Sequence, residues 1–339
     1  MKPTIYDVAE KAGVSIATVS KVVNNTGRIS DKTKRKVTKI MQELEYQPSS
    51  LAAALTGKKT FTLGVLVPDI ANPFFAEVAR ALENTSREAG YTIILCSTDY
   101  QREREHDYLE LLFKKQVDGI IIATDPNDLQ MYKTLHKRHM PFLLFTIDHL
   151  SSSYHVVTTD DIRGGYLAGS YLLEKGHRKM AMINEKDRPG GRLRLEGFRQ
   201  SLADSGVTLD NHLVVNSRSK IDEAKEAAQY ILNLQEKPTA VFASTDLIAA
   251  VFINEARKAN ISIPNDISVI GFDNTIHAEI VDPGLTTIAQ PISELAHYAI
   301  HQLLKSVENP DITGSRIMLT PNLIIRESVR DINNENNHN

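Results

Sequence analysis

Hydrophobic and polar positions follow one pattern in the first sixty residues and a different pattern in the rest of the chain. The first pattern predicts two short helices, over 4–11 and 16–23, joined by a tight turn at 12–14 that contains a glycine. The segment Thr4-Ile-Tyr-Asp7 has the spacing of a capping box, and Ser15 caps the second helix. Two short helices around such a turn have the helix-turn-helix layout.

A third helix is predicted from Ser30-Asp31 onwards. Its apolar positions recur at i, i+3, i+4 and i+7 and so face inward: Val37, Ile40, Met41 and Leu44. The side chains that can share a small core with them are Val8, Ala9, Val14, Val19 and Val22. The opposite face is basic, with Lys32, Lys34, Arg35, Lys36 and Lys39. Tyr46-Gln47-Pro48 ends the helix, because a residue before proline is pushed out of the helical region.

From Phe61 onwards, apolar runs that predict strands alternate with amphipathic stretches that predict helices. The predicted strands are 63–67, 92–95, 119–123, 142–145, 156–159, 180–183, 240–243 and 268–272. The predicted helices are 75–89, 102–115, 164–175, 192–205, 222–234 and 247–259. This alternation predicts a parallel, doubly wound sheet. About 270 residues exceed one compact core, so we expect two α/β subdomains that face a cleft.

Composition narrows the class of protein. The 339 residues are 42% hydrophobic and 24% charged, which is ordinary for a soluble globular chain. The single cysteine, Cys96, can form neither an intrachain disulfide nor a cysteine-rich zinc site, which predicts a reducing, intracellular setting. The N-terminus lacks the apolar region of a secretory signal, and no apolar run is long enough to span a bilayer. We therefore expect a cytoplasmic protein with no membrane partner.

The net charge of -3 conceals a strong asymmetry. Residues 1–60 carry eleven Lys/Arg and five Asp/Glu, a charge of +6, whereas the remainder carries 28 basic and 37 acidic residues, a charge of -9. A small basic head on a large acidic body is typical of a nucleic-acid-binding module joined to another domain. The alternative is that the basic residues at 32–39 only form a solvated helix face.

The segment from Thr4 to Asn24, TIYDVAEKAGVSIATVSKVVN, closely resembles the DNA-binding head of the lactose-repressor (LacI/GalR) family of bacterial transcription regulators. In that family the second helix enters the major groove, which implies base contacts from Ile16, Ala17 and Lys21. Many relatives have arginine where Lys21 stands, so the operator sequence stays open. The resemblance also implies phosphate contacts from a polar set: Tyr6, Ser15, Thr18, Ser20 and Asn24. Each of these five, taken alone, is equally typical of a helix cap or a surface residue.

Residues 49–60 form a short, alanine-rich segment capped by serine. It is too short for a stable isolated helix, since helices below about 12–15 residues are marginal in water. The segment resembles the hinge helix of the same family, which becomes ordered when two subunits meet on DNA. The resemblance implies that Leu55 wedges into the minor groove and kinks the duplex. The alternative is a plain linker with Leu55 packed on its own domain.

The body carries five motifs in the order of the same family: Asn72-Pro-Phe-Phe75, Gly176-His-Arg178, Arg194-Leu-Glu-Gly-Phe198, Gly271-Phe-Asp-Asn274 and Leu285-Thr-Thr-Ile-Ala-Gln-Pro291. The resemblance therefore extends over residues 3–330. It implies an effector-binding core similar to periplasmic sugar-binding proteins, with the ligand beyond the carboxyl ends of the strands.

By the same resemblance, Phe74 and Phe75 wall the pocket against a sugar or purine-like ligand, although Phe75 is equally typical of ordinary core. Arg194 and Asp273 form the polar clamp, since an arginine and a carboxylate across a cleft suit hydroxyl-rich or anionic ligands. Further candidates for the effector site are Asp160, Arg188 and Asp246.

The predicted fold is an N-terminal all-α helix-turn-helix head followed by an α/β core of two doubly wound subdomains, similar to a periplasmic binding protein. The predicted domains are a DNA-binding domain at 1–48, a hinge helix and linker at 49–60, a core at 61–330 and a disordered tail at 331–339. Crossings expected near Thr159, Pro291 and Asn322 divide the core. The N-subdomain then combines about 61–159 and 291–321, and the C-subdomain about 160–290 and 322–330. The C-terminal heptad helix of tetrameric relatives is missing, which predicts a homodimer.

Catalytic and metal-binding motifs are missing from the sequence. Neither glycine pair, 164–165 or 190–191, has the spacing of a phosphate loop, and the histidines have no metal-binding spacing. His177 at a helix end is interpreted as a structural cap, and Cys96 as a buried packing residue. We therefore expect no enzyme activity, no cofactor and no metal.

These observations predict a ligand-responsive, sequence-specific transcription regulator. It would act as a repressor that binds a pseudo-palindromic, double-stranded operator as a homodimer, under allosteric control by a sugar or related metabolite. The alternative is a cytosolic sugar-binding protein of transport-receptor type, which explains the body but not the basic head. An α/β enzyme explains only the sheet. The sequence leaves open the identity of the effector, inducer or corepressor action, activation at some promoters, and a protein coregulator.

Overall fold

The computed structural model describes residues 3–23, 27–46, 59–124, 129–147, 154–185, 188–309 and 314–333. The chain divides into two compact units, the head at 1–60 and the body at 61–339. None of the helices in the described part of the chain is long and apolar enough to cross a membrane.

The head contains three helices, α1 (Ile5–Ala12), α2 (Ile16–Val23) and α3 (Asp31–Glu43), which confirms the predicted layout. Asp7 Oδ2 accepts hydrogen bonds from the backbone N and the hydroxyl of Thr4, at 2.6 and 2.7 Å, in the predicted capping box. Gly13 has a left-handed φ of 62°, as the turn after α1 requires. The fully buried core residues of the head are Val8, Ala12, Val19 and Val37.

The third helix ends earlier than the proline predicts. It stops at Glu43, and Glu45 has a left-handed φ of 51°. The backbone N of Tyr46 donates to Met41 O at 2.9 Å, and that of Glu45 donates to Gln42 O at 3.1 Å, which together form a Schellman motif. The end of the helix is therefore set by these backbone hydrogen bonds rather than by Pro48.

The body contains twelve described strands: β1 (Thr62–Val67), β2 (Thr92–Ser97), β3 (Gly119–Ile122), β4 (Phe142–Phe145), β5 (His155–Thr159), β6 (Met180–Asn184), β7 (Val214–Asn216), β8 (Ala240–Ala243), β9 (Ser268–Asp273), β10 (Thr286–Ala289), β11 (Arg316–Leu319) and β12 (Asn322–Ile324). They form two six-stranded sheets, ordered β11-β5-β4-β3-β1-β2 and β12-β10-β9-β8-β6-β7. All neighbouring pairs are parallel except β10 with β12. The two doubly wound subdomains of the predicted fold class are therefore present.

The described helices of the body are α4 (Pro73–Glu88), α5 (Arg102–Lys114), α6 (Leu129–Lys137), α7 (Asp161–Glu174), α8 (Pro189–Asp204), α9 (Ile221–Leu232), α10 (Asp246–Lys258), α11 (Ile276–Ile280) and α12 (Ile292–Glu308), with a short 3-10 helix at Asn211–Leu213. All eight predicted strands and six predicted helices are present, with ends that differ by a few residues. The pattern did not predict β7, β10, β11, β12, α6, α11 and α12. Strands β7, β11 and β12 are edge strands of the two sheets, so their alternating or partial burial gives no continuous apolar run.

The chain passes between the two sheets three times: after β5, after β10, and between β11 and β12. These passages bring the carboxyl ends of strands from both sheets to one cleft. Helices α7 and α8 cross very closely beside it, because a Cβ added at Gly165 would lie 2.0 Å from Arg194 O, and one at Gly197 would lie 1.8 Å from Ile162 O. Glycine at these positions therefore sets the approach of two helices that carry site residues.

The prediction of a disordered tail at 331–339 is wrong for residues 331–333. Ile332 N donates to Lys175 O at 2.9 Å, Asn333 Nδ2 donates to Glu174 O at 2.8 Å, and Asp331 lies 3.5 Å from Lys175 Nζ. These contacts attach residues 331–333 to the C-terminal end of α7. Residues 334–339 lie outside the described residues.

Candidate functional site

The head presents most of its predicted DNA-contacting side chains to solvent. Tyr6 is 67% and Ile16 41% exposed, so neither side chain belongs to the core of the head. Ser15, Ala17 and Lys21 are exposed, whereas Thr18 and Ser20 are half-buried. The predicted contacts Asn24 and Leu55 lie outside the described residues.

The local structure explains how these residues share one surface. Ser15 Oγ accepts from Thr18 N at 3.2 Å and lies 2.9 Å from Thr18 Oγ1, so Ser15 caps α2 as predicted. Val19, on the other side of α2, is fully buried against the rest of the head. Helix packing therefore leaves Ile16, Ala17 and Lys21 on the solvent side. Apolar and amine groups in this position can contact thymine methyl groups and guanine acceptors.

The basic side of α3 is a second exposed feature of the head. Its exposed members are Lys32, Arg35, Lys36 and Lys39, and Lys34 is half-buried. Glu43 lies 3.1 Å from Lys11 Nζ and 4.0 Å from Lys39 Nζ, so it balances part of this charge. The remaining positive charge suits a polyanion such as the phosphate backbone.

The cleft of the body has an inner compartment of about 50 Å³. Its lining combines aromatic and charged groups: Asn72, Phe74, Phe75, Tyr100, Thr146, Asp161, Glu185, Arg188, Pro189, Gly190, Gly191, Arg194, Thr245, Asp273 and Gln290. Phe74 and Phe75 are both buried in the core of the first subdomain, and their rings meet edge to face at 5.1 Å. Phe75 was interpreted from the sequence either as a wall of the pocket or as an ordinary core residue. In the structure it is a core residue that also lines the cleft.

Arg194 is the centre of the polar part of this compartment. Its Nε donates to Asp161 Oδ1 at 2.7 Å, its Nη1 donates to Ser244 O at 2.5 Å, and its Cζ lies 3.6 Å from the ring centroid of Phe272. Asp273 Oδ1 is 3.7 Å from Arg194 Nη1, so the predicted pair exists. Most of the guanidinium is nevertheless already engaged by the protein. The nearby carboxylates keep the pKa of Arg194 above its usual value in spite of its burial.

Asp273 connects the two sheets through an amide. It ends β9 with a φ of 116°, and its Oδ1 accepts from Gln290 Nε2 at 2.7 Å. Gln290 Oε1 accepts in turn from Thr159 Oγ1 at 2.7 Å, at the end of β5 in the other sheet. Burial raises the pKa of Asp273 well above its usual value, since desolvation disfavours the carboxylate.

The carboxylate beside Arg194 is Asp161, and the prediction of Asp160 is corrected. Asp160 is half-buried and caps α7 by accepting from Arg163 N at 2.9 Å. Asp161 is buried and makes the ion pair with Arg194. Adjacent residues at the start of a helix point in different directions, and only the approach of α8 shows which one meets arginine.

Asp246 is not in the cleft, and its prediction as an effector contact is also corrected. It is fully buried, and its Oδ2 accepts from Thr275 N at 2.7 Å and from Thr275 Oγ1 at 3.2 Å, while its Oδ1 accepts from Thr287 Oγ1 at 2.5 Å. Burial raises its pKa to about 7. With both oxygens engaged by the protein, Asp246 joins the start of α10 to β10 and to the N-cap residue of α11.

An outer cavity of about 460 Å³ adjoins the inner compartment and shares Tyr100, Glu185 and Arg188 with it. Its lining residues are Pro68, Asp99, Tyr100, Gln101, Arg102, Glu105, Thr124, Glu185, Arg188, Arg218, Ser219 and Lys220. Arg188 Cζ lies 5.5 Å from the ring centroid of Phe75 and 5.7 Å from that of Tyr100. This volume is within the range of small-molecule sites, so the room for a ligand is in the outer cavity.

Several lining residues were missed by the sequence analysis: Asn72, Tyr100, Arg102, Thr146, Glu185, Arg218, Ser219, Lys220 and Gln290. Most of them lie in the connections after strands, and that position was the available clue. Asp99, Tyr100 and Thr146 also have φ between 51° and 59°, as Asp273 and Asn274 have positive φ after β9. Other non-glycine residues with positive φ, such as Gln116 and His139, line neither compartment, so this backbone conformation alone does not identify the cleft.

Two side chains of types that often take part in catalysis, His177 and Cys96, lie away from the cleft lining. His177 is fully buried, 3.0 Å from Thr239 Oγ1 and 3.3 Å from Arg330 O, and burial lowers its pKa to about 4. It is a structural residue, as interpreted from the sequence. Cys96 is buried, and burial raises its thiol pKa to about 11, so its predicted packing role is confirmed.

Comparison with known proteins identifies both units. Residues 4–49 match the model for bacterial regulatory proteins of the lacI family, and residues 170–329 match a periplasmic binding protein-like domain. The chain is 41% identical to the HTH-type transcriptional regulator DegA of Bacillus subtilis, over 98% of this chain and 100% of that protein. It is 35% identical to the HTH-type transcriptional repressor PurR of Photobacterium profundum, over 97% of this chain and 99% of that protein.

Among solved structures, the lac repressor dimer bound to operator and the anti-inducer ONPF matches with a TM-score of 0.87 and 25% identity, over 97% of this chain and 100% of that chain. These relatives are transcription regulators rather than enzymes. The alternative of a sugar-binding protein without a DNA function is not favoured, because the head itself matches the family. The chain belongs to the LacI family of bacterial transcription regulators.

Proposed function

We propose that this regulator is a cytoplasmic repressor that binds a pseudo-palindromic operator as a homodimer and releases or tightens it when a small molecule enters the cleft. The observation that carries this proposal is the exposed surface of α2, where Ile16, Ala17 and Lys21 lie on the side opposite the buried Val19. Exposed apolar side chains beside a cation in a helix-turn-helix suit base contacts in the major groove.

Within the head, we assign two kinds of contact. Ile16 and Ala17 contact apolar base edges, and Lys21 donates to guanine. Phosphate contacts come from a polar set: Tyr6, Ser15, Thr18, Ser20 and Asn24. Leu55 in the hinge segment wedges into the minor groove between two subunits. The basic side of α3 adds attraction to DNA that depends on salt but not on sequence.

Within the body, we assign the effector to the cleft between the subdomain formed by 61–159 with 291–321 and that formed by 160–290 with 322–330. Phe74 and Phe75 supply the apolar wall, while Arg194, Asp161 and Asp273 supply the polar floor. A transcriptional regulator solved as a cellobiose complex is 26% identical to this chain, and a LacI family regulator from Enterococcus faecium solved with bound ribose is 32% identical; by analogy the ligand here is a sugar or related metabolite. A coupling of about 1–3 kcal/mol between ligand and DNA suffices for regulation.

Selection of bound sequences from random DNA by the full-length protein tests this function. The selected site is then measured by fluorescence anisotropy against a scrambled site, with the wild type and Lys21→Ala. We expect Lys21→Ala to weaken binding of the selected site by about 1–3 kcal/mol, with a much smaller effect on the scrambled site.

The matched control is Lys39→Ala, which removes an exposed cation from α3. This variant should bind the selected and the scrambled site more weakly by the same factor. It should also reduce the salt dependence of binding, as the loss of a phosphate contact does. If Lys21→Ala loses the same affinity for both sites, Lys21 contacts the phosphate backbone and does not recognise a base. If no sequence is enriched from the random pool, the proposed function is wrong.

A further inference from the structure

The outer cavity is lined by charges of both signs, and the cations outnumber the carboxylates. Four cationic side chains, Arg102, Arg188, Arg218 and Lys220, face three carboxylates, Asp99, Glu105 and Glu185. Asp99 forms an ion pair with Arg104. Glu185 Oε1 accepts from Ser219 N at 3.2 Å, and Glu105 is buried. Each of the three carboxylates is therefore bound to a protein group or buried, although Glu185 has no cationic partner among the described residues.

Three of the cations have no carboxylate partner within the described part of the chain. Arg218 lies 3.5 Å from Glu223, but Arg102, Arg188 and Lys220 form no ion pair with any described residue. Arg102 and Lys220 are exposed, and Arg188 is half-buried. Among the described residues, the guanidinium of Arg188 lies over the rings of Phe75 and Tyr100 and donates no hydrogen bond, which leaves its N–H donors available.

The backbone around the cavity adds to this positive field. Arg102 is the first residue of α5, and Arg188 and Lys220 are the N-cap residues of α8 and α9. At all three helix starts the N-cap side chain makes no capping hydrogen bond, and α8 has no acidic residue in its first turn. The first turns of α5 and α9 contain acidic residues, Glu103 and Glu105 in α5 and Asp222 and Glu223 in α9. Cations are unfavourable at helix N-termini, so an anion beside Arg188 would relieve the repulsion at the start of α8.

We propose that the effector of this regulator carries an anionic oxyacid group, a phosphate ester or a carboxylate, which binds in the outer cavity to Arg102, Arg188 and Lys220. This inference rests on the proposed function and specifies the chemistry of its ligand. The uncharged part of the ligand lies toward the inner compartment, against Phe75 and Tyr100. Arg188 lines both compartments, so it contacts the anionic group and the start of the uncharged part.

Thermal unfolding of the full-length protein with inorganic phosphate, compared with sodium chloride at equal ionic strength, provides the first test. At a phosphate concentration about ten times the fitted Kd, we expect Tm to rise by about 2 °C. Arg188→Gln and Lys220→Gln should each remove at least half of this rise. Because Lys220 is exposed, its variant is expected to fold even if Arg188→Gln does not.

The matched control is Arg192→Gln. Arg192 is an exposed arginine on α8, one turn after Arg188, and it lines neither compartment. This variant should keep the full rise in Tm, which separates direct contact from a general loss of positive charge. If phosphate gives no rise, or if the rise survives in both Arg188→Gln and Lys220→Gln, the inference is wrong.

Isothermal titration calorimetry with D-glucose, D-glucose 6-phosphate and D-glucuronate distinguishes a phosphate ester from a carboxylate. The three probes have the same sugar ring and differ only at C6. At least tenfold tighter binding of one anionic probe supports the inference and identifies a phosphate ester or a carboxylate. Equal binding of all three probes contradicts it. If none of the three binds, the phosphate measurement decides, because it does not depend on the carbon skeleton.

DNA binding of the wild type without ligand keeps this inference distinct from the proposed function. Failure to bind any selected DNA site overturns the proposed function. A protein that binds its site and responds only to uncharged sugars retains the function and overturns the anionic effector.

Discussion

The head and the body arrange their candidate functional residues in opposite ways. In the head, Ile16 and Lys21 lie outside the core and are exposed, so they contribute little to folding. In the body, Asp161, Arg194 and Asp273 are buried and joined to one another. The difference teaches that the proposed DNA contacts can be replaced at little cost in stability, whereas the buried polar residues of the cleft also hold the fold together.

Replacement of Asp161 by alanine is the strongest test of this difference. Asp161→Ala leaves the buried Arg194 without its closest carboxylate, and loss of one partner of a buried ion pair costs about 3–5 kcal/mol. We expect a loss of that size in the free energy of unfolding of the body, measured by urea denaturation followed by near-UV circular dichroism.

The neighbouring variant Asp160→Ala is the matched control. It removes only the cap of α7, which is worth about 1 kcal/mol. Equal losses for the two variants would show that the ion pair does not hold the fold, and the contrast between head and body would then disappear.

A pH titration examines a second buried polar group of the body. The folded-state pKa of His177 is lowered to about 4 from an unfolded value of 6.5, so the folded protein favours the neutral ring. The stability from this preference is fully present above about pH 6.5 and is lost as the pH falls to about 4. Relative to His177→Gln, the wild type should lose at most about 3 kcal/mol across this window.

The difference between the wild type and His177→Gln isolates this effect, because other titrating groups cancel. Asp246 and Asp273 are two of them, since a carboxyl pKa that is raised in the folded state, to about 7 for Asp246, makes stability fall as the pH rises above about 4. Urea denaturation at pH 7, 6, 5 and 4 provides the measurement. A difference that stays constant with pH would mean that the folded protein accepts a proton on His177 without cost.

The smallest expected effect concerns the head. Ile16→Ala removes a 41% exposed side chain, so the free energy of unfolding should change by less than about 0.5 kcal/mol. Val19→Ala, three residues later in the buried core, should cost about 2 kcal/mol. Thermal unfolding of both variants compares them, and a large loss with Ile16→Ala would mean that this residue serves the fold as well as DNA.

The contrast also explains how far the sequence alone leads. Helix periodicity and caps predict the head almost completely, because Thr4, Ser15 and Ser30 act on neighbouring residues. The strands buried on both faces are predicted for a similar reason, since their apolar runs are unbroken. Edge strands such as β12 and the early end of α3 depend on pairing and backbone hydrogen bonds, so the hydrophobic pattern does not contain them.

The cleft was predicted in part, for a physical reason that Asp246 and Arg194 illustrate. Both are buried polar residues, Asp246 just after β8 and Arg194 within α8, but the donors to Asp246 come from Thr275 and Thr287, 29 and 41 residues further along the chain. A sequence pattern shows that a polar residue follows a strand. It does not show whether that side chain turns toward the cleft or toward distant threonines. The charges of the outer cavity, which come from several separate loops, are invisible for the same reason.

The burial of Cys96 has a practical consequence for measuring motion in this regulator. With a thiol pKa of about 11, the thiolate fraction of Cys96 near neutral pH is on the order of one in ten thousand, so the thiol reacts slowly with maleimides. A cysteine introduced at the exposed Lys114 would therefore take a fluorophore selectively in an otherwise native chain. Distances between labelled subunits could then be followed on and off DNA without first removing the natural thiol.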